Sequence, residues 1–319
     1  MSPTTRRRTL QQLIAAALAG SALAVRAAEP GVLRIGYQKF NTLNILKGAG
    51  HLEEALKPLG WSVRWTEFAT GPVLLEALNA GAIDFGHAAD TPTVFAQAAG
   101  VKAAYLAAEQ PYPQGIGILV PANSPLKTVV DLKGRKLAVG RGWNVQYLVV
   151  RALEDVGLSF DDIEPVWVNN AADARAAFES GRVDAVGLWD PFLAAAQLTG
   201  NPRVLRNGEG LSNNRTFYLA PTDFAKAQPQ VLRAVFAELR KTNDWADRNP
   251  QAVADQLAPQ LGVPASVLRL ATGRRHYTAV PVDAGIVAEQ QRIADAFFKL
   301  KLIPREIKVQ DAVHPDVLL

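Results

Sequence analysis

The sequence predicts an α/β protein of two similar lobes, each a largely parallel sheet covered by helices, followed by a helical tail. Three observations predict it. Strand and helix patterns alternate through the first two thirds of the chain, order repeats at an interval of one hundred residues, and the last hundred residues carry helical periodicity. In the repeat, Thr70 to Asp84 parallels Asn170 to Asp184. Each segment reads as an amphipathic helix closed by a glycine, Gly81 or Gly181, with a short strand after it. Asp90-Thr91-Pro92 and Asp190-Pro191-Phe192 then open further helices. Upstream, Leu33 to Gly36 and Lys136 to Gly140 are strands before a turn and a helix, and Val63 to Phe68 and Pro165 to Val168 are second strands. Both copies are β-α-β-α-β-α, and their matching Gly and Asp positions favour duplication over coincidence.

The chain is predicted to cross between lobes at Glu109 to Gly117 and at Arg206 to Thr216, both rich in Pro, Gly, Asn and Gln. The first lobe is 28–112 plus 217–319, which includes the tail, and the second lobe is 113–216. After the strand Phe217-Tyr218-Leu219-Ala220, helices run from Pro229 to Arg248, Pro250 to Leu261, Ala265 to Arg275 and Asp283 to Leu300, three of them near prolines suited to a first turn. The tail is expected to pack back on the first lobe.

Residues 1–27 read as an export signal. Arg6, Arg7 and Arg8 precede an apolar run from Leu10 to Val25, and Ala22-Leu23-Ala24 or Val25-Arg26-Ala27 offers a small-residue exit. Thr5-Arg6-Arg7-Arg8-Thr9-Leu10 resembles the twin-arginine consensus with Thr9 in place of the usual Phe, and the general secretory route stays open. The chain has 34 Lys+Arg against 30 Asp+Glu. Four of those basic residues, Arg6, Arg7, Arg8 and Arg26, lie in the signal region, which leaves 30 against 30 beyond Ala28. A nucleic-acid partner is therefore not expected. With no cysteine, an exported form relies on packing without disulfides, and thiol catalysis is excluded.

In paired open sheets a ligand belongs at the carboxyl ends of the strands, where helix N-termini present free N–H groups. The candidate donors are Gly71 after Thr70, Asp90-Thr91, and Trp143-Asn144 after Gly142, with the Gln38 amide beside the first strand. Apolar walls are available from Tyr112, Trp143, Trp189 and Phe217. Gly140-Arg141-Gly142 starts like a dinucleotide fingerprint, but Val145 replaces its third glycine, so a turn onto a small anion suits it better. Asp90 and Asp190 read either as a carboxylate pair or, more simply, as helix caps. Asp84 and Asp184 read as structural. Trp189 faces either a ligand or the space between lobe elements. His51, His87, His276 and His314 are scattered, so no cofactor or metal is expected.

Taken together, Ile35-Gly36-Tyr37-Gln38-Lys39, Trp65-Thr66-Glu67-Phe68, Gly71-Pro72-x-Leu74-Leu75-Glu76, Gly81-x-Ile83-Asp84-Phe85-Gly86, Thr91-Pro92-x-x-Phe95-Ala96-Gln97, Tyr147-Leu148-x-x-Arg151-Ala152-Leu153-Glu154-Asp155, Trp189-Asp190-Pro191-Phe192 and Leu300-Lys301-Leu302-Ile303-Pro304 resemble the aliphatic sulfonate-binding proteins of bacterial ABC importers. The resemblance spans nearly all of the chain after the signal. It implies a type II periplasmic binding protein with two Rossmann-like lobes, a monomer that closes on a sulfonate and docks on an inner-membrane permease for sulfur acquisition. It also implies a ligand, not a substrate for chemistry; binders of taurine, nitrate or sulfate esters and a pyrimidine-precursor synthase relative share the scaffold. Two departures stand out: Ala89-Asp90 where the family commonly has Gly-Glu, and Trp143 where a small residue is usual. The preferred organic tail is expected to follow from Trp143.

Overall fold

The computed structural model describes residues 31–314; the expected export signal, residues 1–27, lies outside them. The first stretch of chain runs β1 (Gly31–Tyr37), α1 (Thr42–Ala49), α2 (His51–Leu56), β2 (Trp61–Glu67), α3 (Gly71–Asn79), β3 (Phe85–Ala89), α4 (Asp90–Ala99) and β4 (Ala103–Glu109). A second stretch continues as β5 (Ile116–Val120), β6 (Lys136–Val139), α5 (Asn144–Asp155), β7 (Glu164–Trp167), α6 (Ala171–Glu179), β8 (Ala185–Trp189), α7 (Phe192–Gly200) and β9 (Arg203–Asn207). The chain then returns through β10 (Thr216–Pro221) and ends in α8 (Thr222–Ala227), α9 (Pro229–Arg248), α10 (Pro250–Leu261), α11 (Ala265–Thr272), β11 (Ala279–Val280) and α12 (Ala284–Lys299).

Two sheets result. One has the order β11-β4-β10-β3-β1-β2, the other β7-β6-β8-β5-β9. In each, the central strands are parallel, and the strands on either side of a crossing between sheets, β4, β5, β9 and β10, add antiparallel neighbours. The hundred-residue repeat survives as geometry. α3 and α6 start one hundred residues apart, as do β3 and β8, and Gly81 and Gly181 both take left-handed φ values, 68° and 70°. Glycine accepts that conformation without a Cβ penalty. Asp84 accepts from the Arg34 N–H and donates its own N–H to the Arg34 carbonyl, while Asp184 does the same with Lys136. Both aspartates thus join a helix exit to the strand beside it, a structural role in each lobe.

The helical tail packs on the first lobe and also reaches the second. Val231, Leu232, Val235, Phe236 and Leu239 of α9 join the core beneath β1, with Leu43, Leu46, Leu52 and Leu56. From α12, Phe297 meets Phe95 of α4 edge-on at 4.9 Å and lies 6.0 Å from Tyr147 of α5. Val267, Leu268 and Ala271 of α11 share a cluster with Ala194 of α7. One helix boundary differs from expectation: the sequence predicts a helix to Arg275, but α11 stops at Thr272 with Gly273 at its end. Glycine in a helix costs about 1 kcal/mol relative to alanine, which favours termination there. The next residues run as loop and turn Arg275 inward.

Phe236 is 2% exposed and packs edge-on against both Phe85 and Tyr218. Replacing it with alanine is expected to cost about 3–5 kcal/mol, the range for a buried Phe truncation. The check is the urea midpoint at unchanged slope.

Candidate functional site

The carboxyl ends of the strands in the two sheets face each other across a cleft of about 70 Å³. From the first sheet come Gln38, Lys39, Phe40 and Asn41 after β1, Thr70, Gly71 and Pro72 at the start of α3, and His87 and Ala89 on β3. Opposite them lie Trp143 and Asn144 at the start of α5 and Trp189 and Asp190 at the end of β8. Tyr112, Asn214 and Thr216 enter from the two crossings, and Arg275 from the tail.

Two helices direct their first turns into this space. Thr70 precedes α3 in extended conformation without using its side chain as a cap, and Trp143 does the same for α5. The N–H groups of Gly71 and Asn144 find no acceptor among the described residues, as expected where a helix has no preceding turn. Two helix N-termini facing one cavity favour an anion through aligned N–H dipoles. Asn144 is held in place by its side chain, which donates to Asn214 Oδ1 at 2.7 Å, while Asn214 donates to the Tyr112 carbonyl at 2.8 Å.

The charged groups at the cleft are committed elsewhere. Arg275 donates to Glu109 and to the Phe40 carbonyl, and its Nε is buried without a partner among the described residues. Burial would lower its pKa, but Glu109 beside it outweighs this and keeps the guanidinium above its ordinary value. Lys39 donates to the Leu261 carbonyl at 3.0 Å. His87 is a neutral acceptor: burial, then Arg275, lower it to about 3, and its Nε2 receives the Gln38 N–H at 3.1 Å. Gln38 also donates its side-chain amide to the His87 carbonyl.

Eight of the residues singled out from sequence line the cleft: Gln38, Thr70, Gly71, Tyr112, Trp143, Asn144, Trp189 and Asp190. The Asp190 carboxylate, however, is turned into the wall, where it accepts from the Tyr112 hydroxyl and from Ala194 N–H at 3.0 Å. It lies one residue before the Pro191 cap of α7 and is also 3.5 Å from Arg274, so its charge is engaged within the protein.

Three expected residues lie elsewhere. Thr91 is fully buried, and Asp90 and Phe217 line a separate cavity of about 470 Å³ between α5, α12 and the second crossing. Side chains alternate along a strand, so Thr216 faces the cleft and Phe217 points away, edge-on against Tyr105 at 5.0 Å. Asp90 is the first residue of α4, and Ala89 occupies the cap position assigned to Asp90 from sequence. The Asp90 Oδ1 accepts from Thr91 N–H at 2.6 Å. In this second cavity Arg215 is paired with Glu289 at 2.6 Å, so its guanidinium is already compensated.

Residues 31–260 match the profile of the substrate-binding domain of ABC-type glycine betaine transport systems. An aliphatic sulfonates-binding protein by name from Escherichia coli K12 is 39% identical over 310 residues, 95% of this chain and 97% of its own. The chain belongs to the family of ABC-type substrate-binding domains. Solved relatives of this substrate-binding domain include the alkanesulfonate-binding protein of Xanthomonas axonopodis pv. citri bound to MOPS, 39% identical, TM-score 0.84, covering 90% of this chain and 99% of the other. The periplasmic aliphatic sulphonate binding protein of Escherichia coli is also 39% identical, TM-score 0.82, covering 89% and 97%.

Sequence reasoning missed His87, Asn214 and Arg275. Arg275 carried no signal because it read only as the last residue of the helix expected from Ala265 to Arg275. Asn214 takes a left-handed φ of 48°, a conformation asparagine tolerates, which is a cue that its loop position offered.

These buried charges set the response of the fold to pH and to substitution. Burial raises the Asp90 carboxyl to about 7, only partly offset by hydrogen bonds from Thr91. Between about pH 7 and 4 the native state therefore holds a proton at Asp90 that the unfolded chain lacks, and the contribution of Asp90 to stability rises as pH falls. His87, lowered to about 3, acts oppositely, because the unfolded chain protonates first below about pH 6.5. The Asp90→Asn variant loses the first effect, so acidification from pH 7 to 4.5 is expected to cost it about 2–4 kcal/mol more than the wild type in chemical denaturation. Separately, Glu109→Ala leaves Arg275 buried and unpaired, and a loss of about 3–5 kcal/mol is expected in the same assay.

Proposed function

We propose that this substrate-binding domain captures organosulfonates in the interlobe cleft and delivers them to the permease of an ABC importer, working in the periplasm as an exported monomer. The observation that carries this reading is the pair of opposed helix starts whose N–H groups at Gly71 and Asn144 have no acceptor among the described residues. A sulfonate is permanently anionic and has three acceptor oxygens. It suits a site whose donors are backbone N–H groups, the Thr70 hydroxyl and the Asn144 turn, with no free cation required.

Relatives 39% identical over nearly the whole chain carry names for aliphatic sulfonate or alkanesulfonate binding, and one is bound to the sulfonate buffer MOPS. The arrangement favours binding without chemistry. The imidazole in the cleft accepts a backbone N–H at Nε2, and the Asp190 carboxylate is engaged by Tyr112 and Ala194. Neither is poised to move a proton on a ligand. The lobes would close about the crossings at Glu109 to Ile116 and Asn207 to Thr216.

Thermal melts with alkanesulfonates, taurine, nitrate, sulfate and a pyrimidine test this. Stabilisation equivalent to about 2.7 kcal/mol is expected for a preferred sulfonate at a hundredfold excess over its dissociation constant. A melting temperature that nitrate or the pyrimidine raises, and no sulfonate does, contradicts the proposal.

A further inference from the structure

The cleft is much narrower than the cavity beside Asp90. It has about 70 Å³, against about 470 Å³ for that cavity. A ring-bearing sulfonate such as MOPS is about twice the size of a sulfonate carrying one or two carbons, so its tail asks far more of the cleft wall.

Aromatic side chains narrow it. Trp143 is 4% exposed and meets Trp189 edge-on, with ring centroids 4.8 Å apart at 75°. Trp189 in turn packs against Phe192 at 5.4 Å and 79°. The Trp143 indole lies back over the end of β6, where Gly140 leaves the space: a Cβ on Gly140 would collide with the indole. Across the cleft, Tyr112 is fixed through its hydroxyl by Asp190 and the Ala271 carbonyl at 3.0 Å. These rings are held by backbone, by one another and by hydrogen bonds, so moving one disturbs several contacts.

Resting on the sulfonate reading above, we infer that Trp143 is the specificity-determining residue that restricts this cleft to short-tailed sulfonates. The helix starts at Gly71 and Asn144 recognise the anionic head common to all sulfonates and do not discriminate among tails. Discrimination falls to the wall beyond them. A bulky tail either displaces the indole from its shelf on Gly140 or holds the lobes apart, and each lowers affinity relative to a short tail.

The test is isothermal titration calorimetry with methanesulfonate, ethanesulfonate and MOPS on the wild type, Trp143→Ala and Trp143→Phe. The wild type is expected to bind ethanesulfonate at least tenfold more tightly than MOPS. In Trp143→Ala the ratio moves at least tenfold toward MOPS, and in Trp143→Phe, which keeps a ring in the wall, it moves the same way by less. A wild type that binds MOPS as tightly as ethanesulfonate overturns the inference while leaving sulfonate binding intact. So does an unchanged ratio in the variants. If Trp143→Ala does not fold, the wild-type ratio and the Trp143→Phe shift decide alone. Absence of heat with every sulfonate on the folded wild type overturns the functional reading itself.

Discussion

The buried pair of Glu109 and Arg275 is the interaction on which the arrangement of parts depends. Glu109 ends β4, where the chain leaves the first sheet, and its carboxylate accepts from Arg275, the Tyr218 hydroxyl at 2.6 Å, Asn41 at 3.2 Å and Thr42 at 3.4 Å. Its carbonyl accepts from Arg215 in the second crossing at 2.9 Å. One residue thus joins the start of α1, the return strand β10, both crossings and the tail. A buried ion pair is a weak source of net stability against an apolar replacement, but removing one partner leaves a bare charge and costs heavily. Its consequence here is placement: the tail is held against the cleft, and Phe40, Tyr112 and Tyr277 surround the guanidinium at 5.4–5.7 Å.

The same pairing ties up the Arg275 charge at the edge of the cleft. Arg275, Lys39 and Asp190 each have partners within the protein, and His87 is neutral across the physiological range. What faces the cavity is backbone dipole and hydroxyl. Such donors recognise an anion by direction and distance, so selectivity among anions rests on shape, which the aromatic wall of Trp143, Trp189 and Tyr112 supplies.

Much of the fold was legible in the sequence because duplication repeats local physics. Gly81 and Gly181 close two helices by the same left-handed turn, and Asp84 and Asp184, read only as structural, form the same strand bridge, so one lobe mirrors the other. The cleft was legible where a strand led straight into a helix start, as at Thr70-Gly71 and Trp143-Asn144. It was illegible where the decisive fact was a side chain's face or a long-range contact. Phe217 and Thr216 differ only in strand alternation, which fixes direction once the strand is anchored and not before. Asp90 and Asp190 sit one hundred residues apart, yet α4 begins ahead of its Pro92 while α7 begins after Pro191, and the two carboxyls take different surroundings. Arg275 needed the termination of α11 at Thr272 and a partner 166 residues away.

In the proposed function the first-turn N–H groups of α3 and α5 jointly hold the anion. A crystal structure of the chain with ethanesulfonate tests it most directly. Sulfonate oxygens are expected about 2.7–3.2 Å from both Gly71 N and Asn144 N, with the carbon tail against Trp143. An anion bound to Arg275 or Lys39 alone, or seated in the cavity beside Asp90, with both N–H groups left unengaged, would contradict it.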